Sequence, residues 1–465
     1  MSLPQNLLLI GASVRAAAAS AVQAGYQPEH GRLLWCADRF GDTDLQMLAE
    51  ITEICDPFPT GFPSLLANAP SGTLIYTGAM ENHLQTLAAC LTPRHRLAGN
   101  SPEVVAAVRD PFSWTAVLRQ AGLPFAEIRN EPPEKTLPKP LQAESVLPQN
   151  HTPPLWLCKP LRSGGGIGIN FWSAEPAAAA VPANHFWQKY IPGTPVSAVY
   201  VAAGRQAVCL GSTRQLIGQS WCWGETASPA DMDVSGKAGP RGNYESATSR
   251  PRSFQYCGSM GPLHLPDDIF AQWQAIGDVL AREFGLVGLF GVDAIWTADG
   301  RIVPVEINPR YTASIEVLER SSLLGTRGTR GERLLAIKLH LEACLLGKLP
   351  ARAIPFARLV VGKAILHVPD AAPRRTELTQ EGFDGLPNQQ PWRFTTAAAQ
   401  WCAIRNLSSG RPSVADLPMA ESPIYAGEPL LTIFAEGTDE TAVEAELLDT
   451  AGELYELLQG EVEIN

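Results

Sequence analysis

Residues 288–310 read GLFGVDAIWTADGRIVPVEINPR and predict two β-strands joined by a tight turn. Both arms are apolar and rich in β-branched residues, and the dipeptide Asp299-Gly300 between them is typical of a hairpin loop. If these two residues form the loop, Asp293 and Glu306 lie opposite each other on the paired strands. Two carboxylates in that position repel each other unless a cation lies between them. The pattern therefore predicts a metal site on this hairpin.

A third oxygen ligand follows on the second strand. Asn308 lies two residues beyond Glu306, so both side chains face the same side of the sheet. The apolar residues of the strand face the other side: Val303, Val305 and Ile307. Carboxylate and amide oxygens suit Mg²⁺, which also keeps waters and substrate phosphates as ligands. The alternative is a surface hairpin whose acids face water, but acids between such apolar arms are hard to explain by solvation alone.

The string EINPR at 306–310 resembles the metal-binding end of the ATP-grasp superfamily. Members couple ATP cleavage to the joining of a carboxylate to a nucleophile, and they carry a lysine strand, a glycine-rich loop and an adenine-binding segment in a fixed order. The resemblance implies ATP and Mg²⁺ (or Mn²⁺) as cofactors. It makes Arg310 a catalytic residue, because a guanidinium at the strand end can bind a phosphate, and it implies three metal ligands: Asp293, Glu306 and Asn308.

The lysine strand and the glycine-rich loop are found at 155–169, LWLCKPLRSGGGIGI. The run up to Lys159 predicts a buried strand, and the glycines after it let the backbone approach a ligand closely. Successive N–H groups in such a loop form an anion-binding nest, to which Lys159 adds a positive charge. A flexible hairpin is the alternative for the glycines taken alone. The resemblance assigns a catalytic and a nucleotide-binding role to Lys159, and nucleotide binding to the loop: Ser163, Gly164, Gly165, Gly166 and Gly168.

The segment 185–197, HFWQKYIPGTPVS, resembles the adenine-binding segment of the superfamily, whose backbone contacts the edge of the base. The resemblance places four residues around the adenine: Gln188, Lys189, Tyr190 and Ile191. Members more often have Glu where Gln188 stands. An ordinary strand-turn-strand is the alternative for this segment alone.

Two arginines outside these segments are further candidates. A capped helix is predicted to begin with Ser101 at the N-cap and Pro102 in the first turn. Superfamily members often have Lys or Arg at the end of this helix in contact with the phosphates, which implicates Arg109 as a nucleotide-binding residue. Arg214 ends a strand that would cross the site and is a catalytic candidate, together with its neighbour Gln215. Structural roles for both arginines stay open.

The composition is typical of a soluble cytoplasmic enzyme. The chain has 465 residues, 45% of them hydrophobic, which suits two to four packed domains. A net charge of −11 without a Lys/Arg cluster argues against nucleic acid as a partner. No run approaches the ~18 apolar residues of a transmembrane helix, so no membrane partner is predicted, and the N-terminus lacks the basic start of a signal peptide. The nine scattered cysteines contain no C-x-x-C pair, so neither disulfides nor zinc is predicted.

The chain divides into four predicted regions. Residues 1–99 alternate strand and helix, which predicts a small α/β domain with a parallel sheet. Residues 100–154 are predicted to form two short helices and a Pro-rich connector. Residues 155–350 carry all the nucleotide motifs and a long insertion at 221–262, which we interpret as a substrate lid because so long a loop is usually functional or disordered. Residues 355–465 are predicted to form a mixed C-terminal domain.

Three residues of the first region are weaker candidates for substrate contacts. Arg15, Asp38 and Asp42 follow predicted strands, where open sheets bind ligands. Ordinary surface positions are the alternative for each of them.

These features together predict the ATP-grasp fold, mixed α/β and α+β, with ATP between two lobes and with flanking N- and C-terminal domains. The C-terminal part looks like that of biotin-carboxylase-related members, so the resemblance covers nearly the whole chain. It implies an ATP-dependent ligase that joins a small-molecule carboxylate to an amine through an acyl phosphate. A homodimer is one possible assembly.

The substrate is narrowed only by resemblance. The N-terminal domain and the C-terminal Gly-Glu-Pro segment look like those of ATP-grasp proteins of one-carbon coenzyme biosynthesis, of the tetrahydromethanopterin and methanofuran type, where ligation of glutamate would fit. One alternative is a carboxylase-type ligase that uses bicarbonate, although no A-M-K-M biotinyl signal occurs in the chain. Another is a non-catalytic module that senses ATP, against which the intact metal ligands argue.

Overall fold

A computed structural model gives the fold of the chain. It describes the following residues: 3–133, 155–172, 183–225, 252–324, 333–351, 359–369, 392–408 and 412–459. The Pro-rich part of the predicted connector, 134–154, and the middle of the predicted lid, 226–251, lie outside the described residues. No helix among the described residues is long and apolar enough to span a bilayer.

The N-terminal region folds around a parallel sheet. Its elements are β1 (Asn6–Ile10), α1 (Arg15–Gln23), β2 (Leu33–Asp38), α2 (Thr43–Leu48), β3 (Ile51–Ile54), α3 (Phe62–Asn68), β4 (Gly72–Tyr76), α4 (Leu84–Cys90) and β5 (His95–Leu97). The five strands lie in the order β3-β2-β1-β4-β5, and all neighbours are parallel. Strand β1 is apolar on both faces because a hydrophobic core covers each face, one around Leu7 and Leu9 and the other around Leu8 and Ile10.

Two short helices lead from this sheet to the cavity described below. They are α5 (Pro102–Arg109) and α6 (Pro111–Gln120). The predicted cap of α5 is observed, since the Ser101 hydroxyl accepts a hydrogen bond from the Val104 N–H. The carboxylate of Asp110 then caps α6 by accepting from the N–H groups of Phe112 and Ser113. The two caps fix the backbone on both sides of Arg109.

The middle of the chain forms a small sheet and most of a large one. Its elements are β6 (Ile128–Arg129), β7 (Trp156–Pro160), β8 (Asn170–Phe171), β9 (His185–Lys189), β10 (Thr194–Ala203), β11 (Gln206–Ile217), β12 (Tyr256–Gly261), α7 (Asp267–Phe284), β13 (Gly288–Trp296), β14 (Ile302–Asn308), α8 (Ala313–Leu324) and α9 (Ala336–Leu346). The small sheet has the order β6-β9-β7-β8. All its neighbouring strands are antiparallel.

The C-terminal region extends the large sheet. Its elements are β15 (Val360–His367), β16 (Trp392–Arg393), α10 (Thr396–Ser408), β17 (Val414–Ala415), β18 (Pro423–Ile424), β19 (Pro429–Gly437) and α11 (Glu440–Gln459). The large sheet is antiparallel and eight-stranded, in the order β14-β13-β10-β11-β12-β15-β19-β17. Since β12 pairs directly with β15, the sheet continues across the region boundary predicted at residues 350–355.

The centre of the large sheet is buried on both faces. Along β10, Val199 and Val201 belong to a core shared with α8 and α9. The alternate residues Ala198 and Tyr200 belong to a second core that contains α7, as the period of two in a strand requires. Tyr200 is fixed there because its hydroxyl donates to the Trp273 carbonyl oxygen at 2.9 Å.

The ends of the predicted lid are ordered parts of the fold, which corrects the predicted insertion at 221–262. Residues 256–261 form strand β12 in the middle of the large sheet. Trp221, Cys222 and Trp223 are buried in the C-terminal core. Apolar residues among the glycines and serines explain the difference, because they have a sheet to pack on. The lid hypothesis now concerns 226–251 alone, outside the described residues.

Arg15 joins three parts of the chain and is no surface residue. Arg15 is 4% exposed, and its guanidinium pairs with Glu316 of α8 and Asp416 of the C-terminal region. Lys363 of β15 also donates to Glu316, at 2.6 Å. Asp38 is buried as well, and its carboxylate accepts from three backbone N–H groups, those of Val14, Phe40 and Gly41. Arg15 and Asp38 thus have structural partners, and Asp42 is likewise buried.

His340 makes a second buried link between the N-terminal region and the large sheet. Its Nδ1 accepts from the Leu289 N–H, and its Nε2 lies 2.9 Å from the Ala98 carbonyl oxygen, to which it donates as the neutral ring. Burial lowers the pKa of His340 to about 4. In the unfolded chain the ring takes up a proton near pH ~6.5. Stability is therefore lost as the pH falls from about 6.5 toward 4, because only the unfolded state binds the proton readily.

This pH dependence can be measured. Between pH 7 and pH 5 we expect the protein to lose about 2 kcal/mol of unfolding free energy through His340. Urea unfolding followed by tryptophan fluorescence at both pH values measures the loss, and the His340→Asn variant should lack that part of it. His264→Asn, which changes an exposed histidine, should keep the wild-type dependence. Equal losses in the wild type and His340→Asn would contradict the assignment.

Candidate functional site

A cavity of about 390 Å³ lies between the small sheet and the large sheet. Strands β7 and β9 form one wall, and strands β11 to β14 form the other. The lining includes most of the residues that the sequence predicts: Lys159, Gly165, Gly166, Gln188, Lys189, Tyr190, Ile191, Asp293, Glu306, Asn308 and Arg310. The structure thus brings the lysine strand, the glycine-rich loop, the predicted adenine segment and the acidic hairpin to one place.

The hairpin has the predicted pairing but a different turn. Asp293 lies opposite Glu306, as predicted. The predicted two-residue loop is wrong, because Thr297 and Arg301 are hydrogen-bonded and three residues, 298–300, lie between them. Gly300 adopts a φ of +81° at the end of this loop, as three-residue hairpins require. A bulge between Asp293 and Ala294 then shifts the register by one residue and restores the predicted pair.

The bulge places Val305 at the cavity, although the sequence predicts it on the opposite face from Glu306. Val305 has no partner in the β13–β14 register, so its carbonyl oxygen is free to accept other donors. It accepts from the Lys159 ammonium at 3.3 Å and from the Gln188 amide at 3.4 Å. The Gln188 oxygen accepts from Lys159 in turn, at 3.2 Å. The hydrogen bond from Lys159 to the Val305 carbonyl oxygen at the bulge therefore connects the small sheet to the large sheet.

The three predicted metal ligands form one hydrogen-bonded group. Asp293 accepts from the Gln215 amide and from the Asn308 amide, each at 2.9 Å. Glu306 accepts from Arg109. Among the described residues no three His, Cys, Asp or Glu side chains gather at one point, so a metal here would have two carboxylates and one amide oxygen as protein ligands. This all-oxygen donor set, which leaves room for phosphate and water ligands, fits Mg²⁺ or Mn²⁺.

The two acids differ in their pKa. Burial and the nearby Glu306 raise the pKa of Asp293 to about 6. Burial alone would also raise the pKa of Glu306, but Arg109 and Lys159 hold it below the ordinary value. Burial lowers the pKa of Lys159, while Glu306 opposes this shift. The site therefore keeps a negative charge on Glu306 and concentrates positive groups around it.

The glycine-rich loop approaches the backbone of the neighbouring segment. A Cβ on Gly166 would lie 1.8 Å from the Phe254 carbonyl oxygen, and Gly166 has a φ of +77°, so no other residue fits there. The Tyr256 N–H donates to the Gly165 carbonyl oxygen at 2.9 Å, which holds the loop against β12. The other predicted loop residues, Ser163, Gly164 and Gly168, lie beside the cavity without lining it.

Arg310 has a partner that the sequence did not indicate. Its guanidinium donates to the Glu81 carboxylate at 2.7 Å and to the Asn308 oxygen at 3.4 Å. Glu81 is 3% exposed, and among the described residues its second oxygen has no hydrogen-bond partner. In the sequence, the feature that could have indicated Glu81 is its position shortly after strand β4, at the edge where parallel sheets carry their functional loops. The separation of 229 positions along the chain hides the pair from sequence analysis.

Arg109, which the sequence predicts to contact nucleotide phosphates, instead contacts the predicted metal ligands in the structure. One of its terminal nitrogens donates to Glu306 at 2.5 Å and to the Asn308 oxygen at 3.3 Å. The other donates to the Ser163 carbonyl oxygen at 2.7 Å, on the glycine-rich loop. Arg109 therefore joins α5, the loop and β14 around the place where phosphates are predicted to bind.

The structure does not place Arg214 at the cavity, so its catalytic assignment needs correction. Its guanidinium pairs with Glu440 at 2.7 Å and Glu444 at 2.6 Å, two acids one turn apart on α11. Its neighbour Gln215 lines the cavity instead, because adjacent strand residues face opposite sides. From the sequence, one of Arg214 and Gln215 must face the site, but the sequence does not decide between them. The acids that neutralise Arg214 are more than 200 positions away along the chain.

Comparison with known proteins agrees with this arrangement. Residues 126–314 match the sequence model of the family ATP-grasp_3, described as an ATP-grasp domain. The match identifies an ATP-grasp domain in this part of the chain, where the predicted nucleotide motifs also lie. No curated protein sequence matches it.

Solved structures show that the likeness extends beyond this domain. The N5-carboxyaminoimidazole ribonucleotide synthetase from Thermotoga maritima is 12% identical, with a TM-score of 0.54 and coverage of 96% of this chain and 97% of that one. Biotin carboxylase from Campylobacter jejuni is 14% identical, with a TM-score of 0.58 and coverage of 96% and 90%. The N5-carboxyaminoimidazole synthase from Aspergillus clavatus, solved with ADP and 5-aminoimidazole ribonucleotide, is 13% identical, with a TM-score of 0.56 and coverage of 98% and 99%. At such identities the likeness concerns the fold, and the predicted ATP-grasp fold is confirmed.

Replacing Lys159 tests the nucleotide assignment. We expect Lys159→Met to weaken the binding of ADP by about tenfold or more, because it removes a charged donor from the cavity. Calorimetric titration of ADP with Mg²⁺ measures the change. Lys338→Met removes the same charge from an exposed position on α9 and should bind as the wild type does. Unchanged affinity in a folded Lys159→Met protein would remove Lys159 from the site.

Proposed function

We propose that this protein is an ATP-dependent ligase that activates a small carboxylate as an acyl phosphate and joins it to an amine. One observation carries the proposal. A single cavity between two sheets contains a buried lysine, a backbone loop suited to anions, an arginine and an oxygen-rich acidic group. These are the groups that phosphoryl transfer needs, since positioning and electrostatic stabilisation account for most of its catalysis.

The residues have separate parts in this reaction. The backbone N–H groups at Gly165 and Gly166, Lys159 and Arg310 would bind the phosphates and stabilise the charge that develops during transfer. A carboxylate oxygen attacks the terminal phosphorus, and the bond from that phosphorus to the ADP oxygen breaks. The amine nitrogen then attacks the acyl carbon, phosphate leaves with the bonding electrons, and the nitrogen loses a proton to water. No residue needs to become a covalent intermediate.

Asp293, Glu306 and Asn308 would hold the divalent cation, which would supply positive charge to offset that of the phosphates. The Gln215 amide, which donates to Asp293 at 2.9 Å, orients this carboxylate. Gln188, Lys189, Tyr190 and Ile191 would surround the adenine, as the resemblance implies, since they line the same cavity next to Lys159.

Uncharged side chains that can form hydrogen bonds with the carboxylate or the amine substrate also lie at the cavity. Three residues that carry hydroxyl groups line the cavity: Tyr256, Thr312 and Ser314. Tyr256 is held by Ser259 at 2.8 Å, and Thr312 lies 3.2 Å from Ser314. Such groups can donate to a carboxylate or accept from an amine. An amino acid such as glutamate, as in one-carbon coenzyme biosynthesis, is compatible with this set.

A second candidate is a ligase whose carboxylate is bicarbonate. Its support is the structural likeness to biotin carboxylase. The two candidates share the nucleotide half of the cavity and differ only in the acid that is activated.

A turnover assay separates these candidates from a module that only senses ATP. The protein is incubated with ATP, Mg²⁺ and a panel of amino acids and other small carboxylates, with bicarbonate as one member, and phosphate release is measured. Hydroxylamine traps an acyl phosphate as a hydroxamate, and an ¹⁸O label in the stimulating acid should appear in the released phosphate. Stimulation by an organic acid supports the amide ligase, and stimulation by bicarbonate alone supports the carboxylase. Binding of ATP without turnover for any acid contradicts both.

Glu306 should be essential for turnover. We expect Glu306→Gln to lower kcat by at least about a hundredfold, the scale of losing a major electrostatic group, while the melting temperature changes little. The matched control is Asp299→Asn, which removes the same charge from the exposed end of the same hairpin. A Glu306→Gln enzyme with normal kcat would refute the metal-ligand role.

Glu81 should act through Arg310 as a positioning residue. We expect Glu81→Gln to lower kcat by about tenfold, because the guanidinium loses its charged partner. A double-mutant cycle tests whether Glu81 acts through Arg310. If Glu81 acts only by orienting Arg310, the Glu81→Gln/Arg310→Gln protein is as slow as Arg310→Gln alone. Additive losses would show that Glu81 has another role.

A further inference from the structure

Arg109 occupies the position of a cation among the predicted metal ligands. Its Nη1 atom donates to Glu306 Oε1 at 2.5 Å, to Asn308 Oδ1 at 3.3 Å and to the Ile307 carbonyl oxygen at 3.4 Å. Two of these oxygens belong to residues whose side chains would hold the divalent cation. One positively charged nitrogen thus lies on the oxygen set that suits Mg²⁺.

The acidic hairpin requires such a charge. Asp293 and Glu306 face each other on paired strands, where like charges destabilise the sheet. In the structure, Arg109 and Lys159 provide the compensating charges. Arg109 is the one in direct contact, with a side chain that is 11% exposed. A tethered cation of this kind competes strongly with a free ion, since its effective concentration is high and Mg²⁺ gives up its water reluctantly.

Arg109 also has a reason to leave these oxygens when a nucleotide arrives. Its Nε atom is buried and, among the described residues, has no hydrogen-bond partner. Its Nη2 atom already reaches the Ser163 carbonyl oxygen at 2.7 Å, beside the loop where the phosphates would bind. A phosphate offers several acceptors to a guanidinium, whose planar set of donors matches it well. The caps on either side of Arg109 hold the backbone, so a change of side-chain rotamer is sufficient.

We propose that Arg109 is a built-in counter-ion that holds Glu306 and Asn308 until a nucleotide binds, and that it then moves to the phosphates and leaves these oxygens to the divalent cation. The proposal rests on the proposed function only in placing the phosphates in this cavity. It makes the binding of metal and nucleotide cooperative, because each removes an obstacle to the other. Metal without nucleotide binds only weakly, because it must displace Arg109.

The experiment uses Mn²⁺ as the probe and electron paramagnetic resonance to count the free ion. The wild-type protein should bind Mn²⁺ weakly alone and more tightly with ADP. In Arg109→Gln, the affinity for Mn²⁺ without nucleotide should rise by about tenfold, a typical size for coupling between two ligands. The enhancement by ADP should shrink correspondingly. Binding of Mn²⁺ without nucleotide requires neither ADP nor turnover. A gain in Arg109→Gln would therefore support the counter-ion role even if the ligase assay gives no turnover.

Controls separate this effect from a general loss of positive charge. Arg301→Gln removes an exposed guanidinium at the hairpin end and should leave Mn²⁺ binding unchanged. Glu306→Gln introduced into Arg109→Gln should abolish the gain, which locates the ion. Arg109→Lys keeps the charge and is the fallback if Arg109→Gln does not fold; we expect a smaller gain, because an ammonium cannot contact the loop and the strand together. If neither Arg109 variant binds Mn²⁺ better than the wild type without nucleotide, the proposal is wrong.

Discussion

The pairing of Asp293 with Glu306 across β13 and β14 is the constraint on which the cavity depends. It is produced by two departures from a regular hairpin that cancel, a three-residue loop and a bulge at Val305. Without the bulge the same loop would pair Asp293 with Val305, and Glu306 would turn to the opposite face. The bulge also frees the carbonyl oxygen that holds Lys159. One irregular residue therefore sets both the spacing of the acids and the place of the lysine.

The charged groups around these acids come from outside the hairpin and partly from outside the matched domain. Arg109 and Glu81 precede residue 126, where the match to the ATP-grasp family begins. Arg109 neutralises Glu306, and Glu81 holds Arg310. The electrostatic balance of the cavity is therefore completed only when the N-terminal region packs against the two sheets. Arg15 and His340 secure this packing with buried polar contacts that are satisfied only in the assembled fold.

Sequence reasoning succeeded where a feature is local. The strand that contains Lys159 and the cap of α5 each follow from residues within a few positions of one another. The pairing of Asp293 with Glu306 is predicted correctly, although the sequence predicts neither the three-residue loop nor the bulge that together produce it. Sequence reasoning failed where residues far apart in the chain determine the position of a side chain. The partner of Arg310 is Glu81, and the partners of Arg214 lie on the last helix. The sequence predicts β12 as part of an insertion because Gly and Ser dominate around it, although the neighbouring strands β11 and β15 supply its hydrogen bonds. The dipeptide Asp299-Gly300 does not fix the length of the hairpin loop, because it suits both two-residue and three-residue loops.

The continuity of the large sheet affects how the chain is made. Strands β10 to β14, which carry the acids, are complete once residue 308 has been synthesised, but β12 then has an unpaired edge. Its partner β15 ends at residue 367, and β19, the next strand outward, ends at residue 437. An open strand edge can pair with other chains. A nascent chain on the ribosome thus carries an exposed strand edge, on the side of the sheet opposite its finished acidic hairpin, until most of its C-terminal region has emerged.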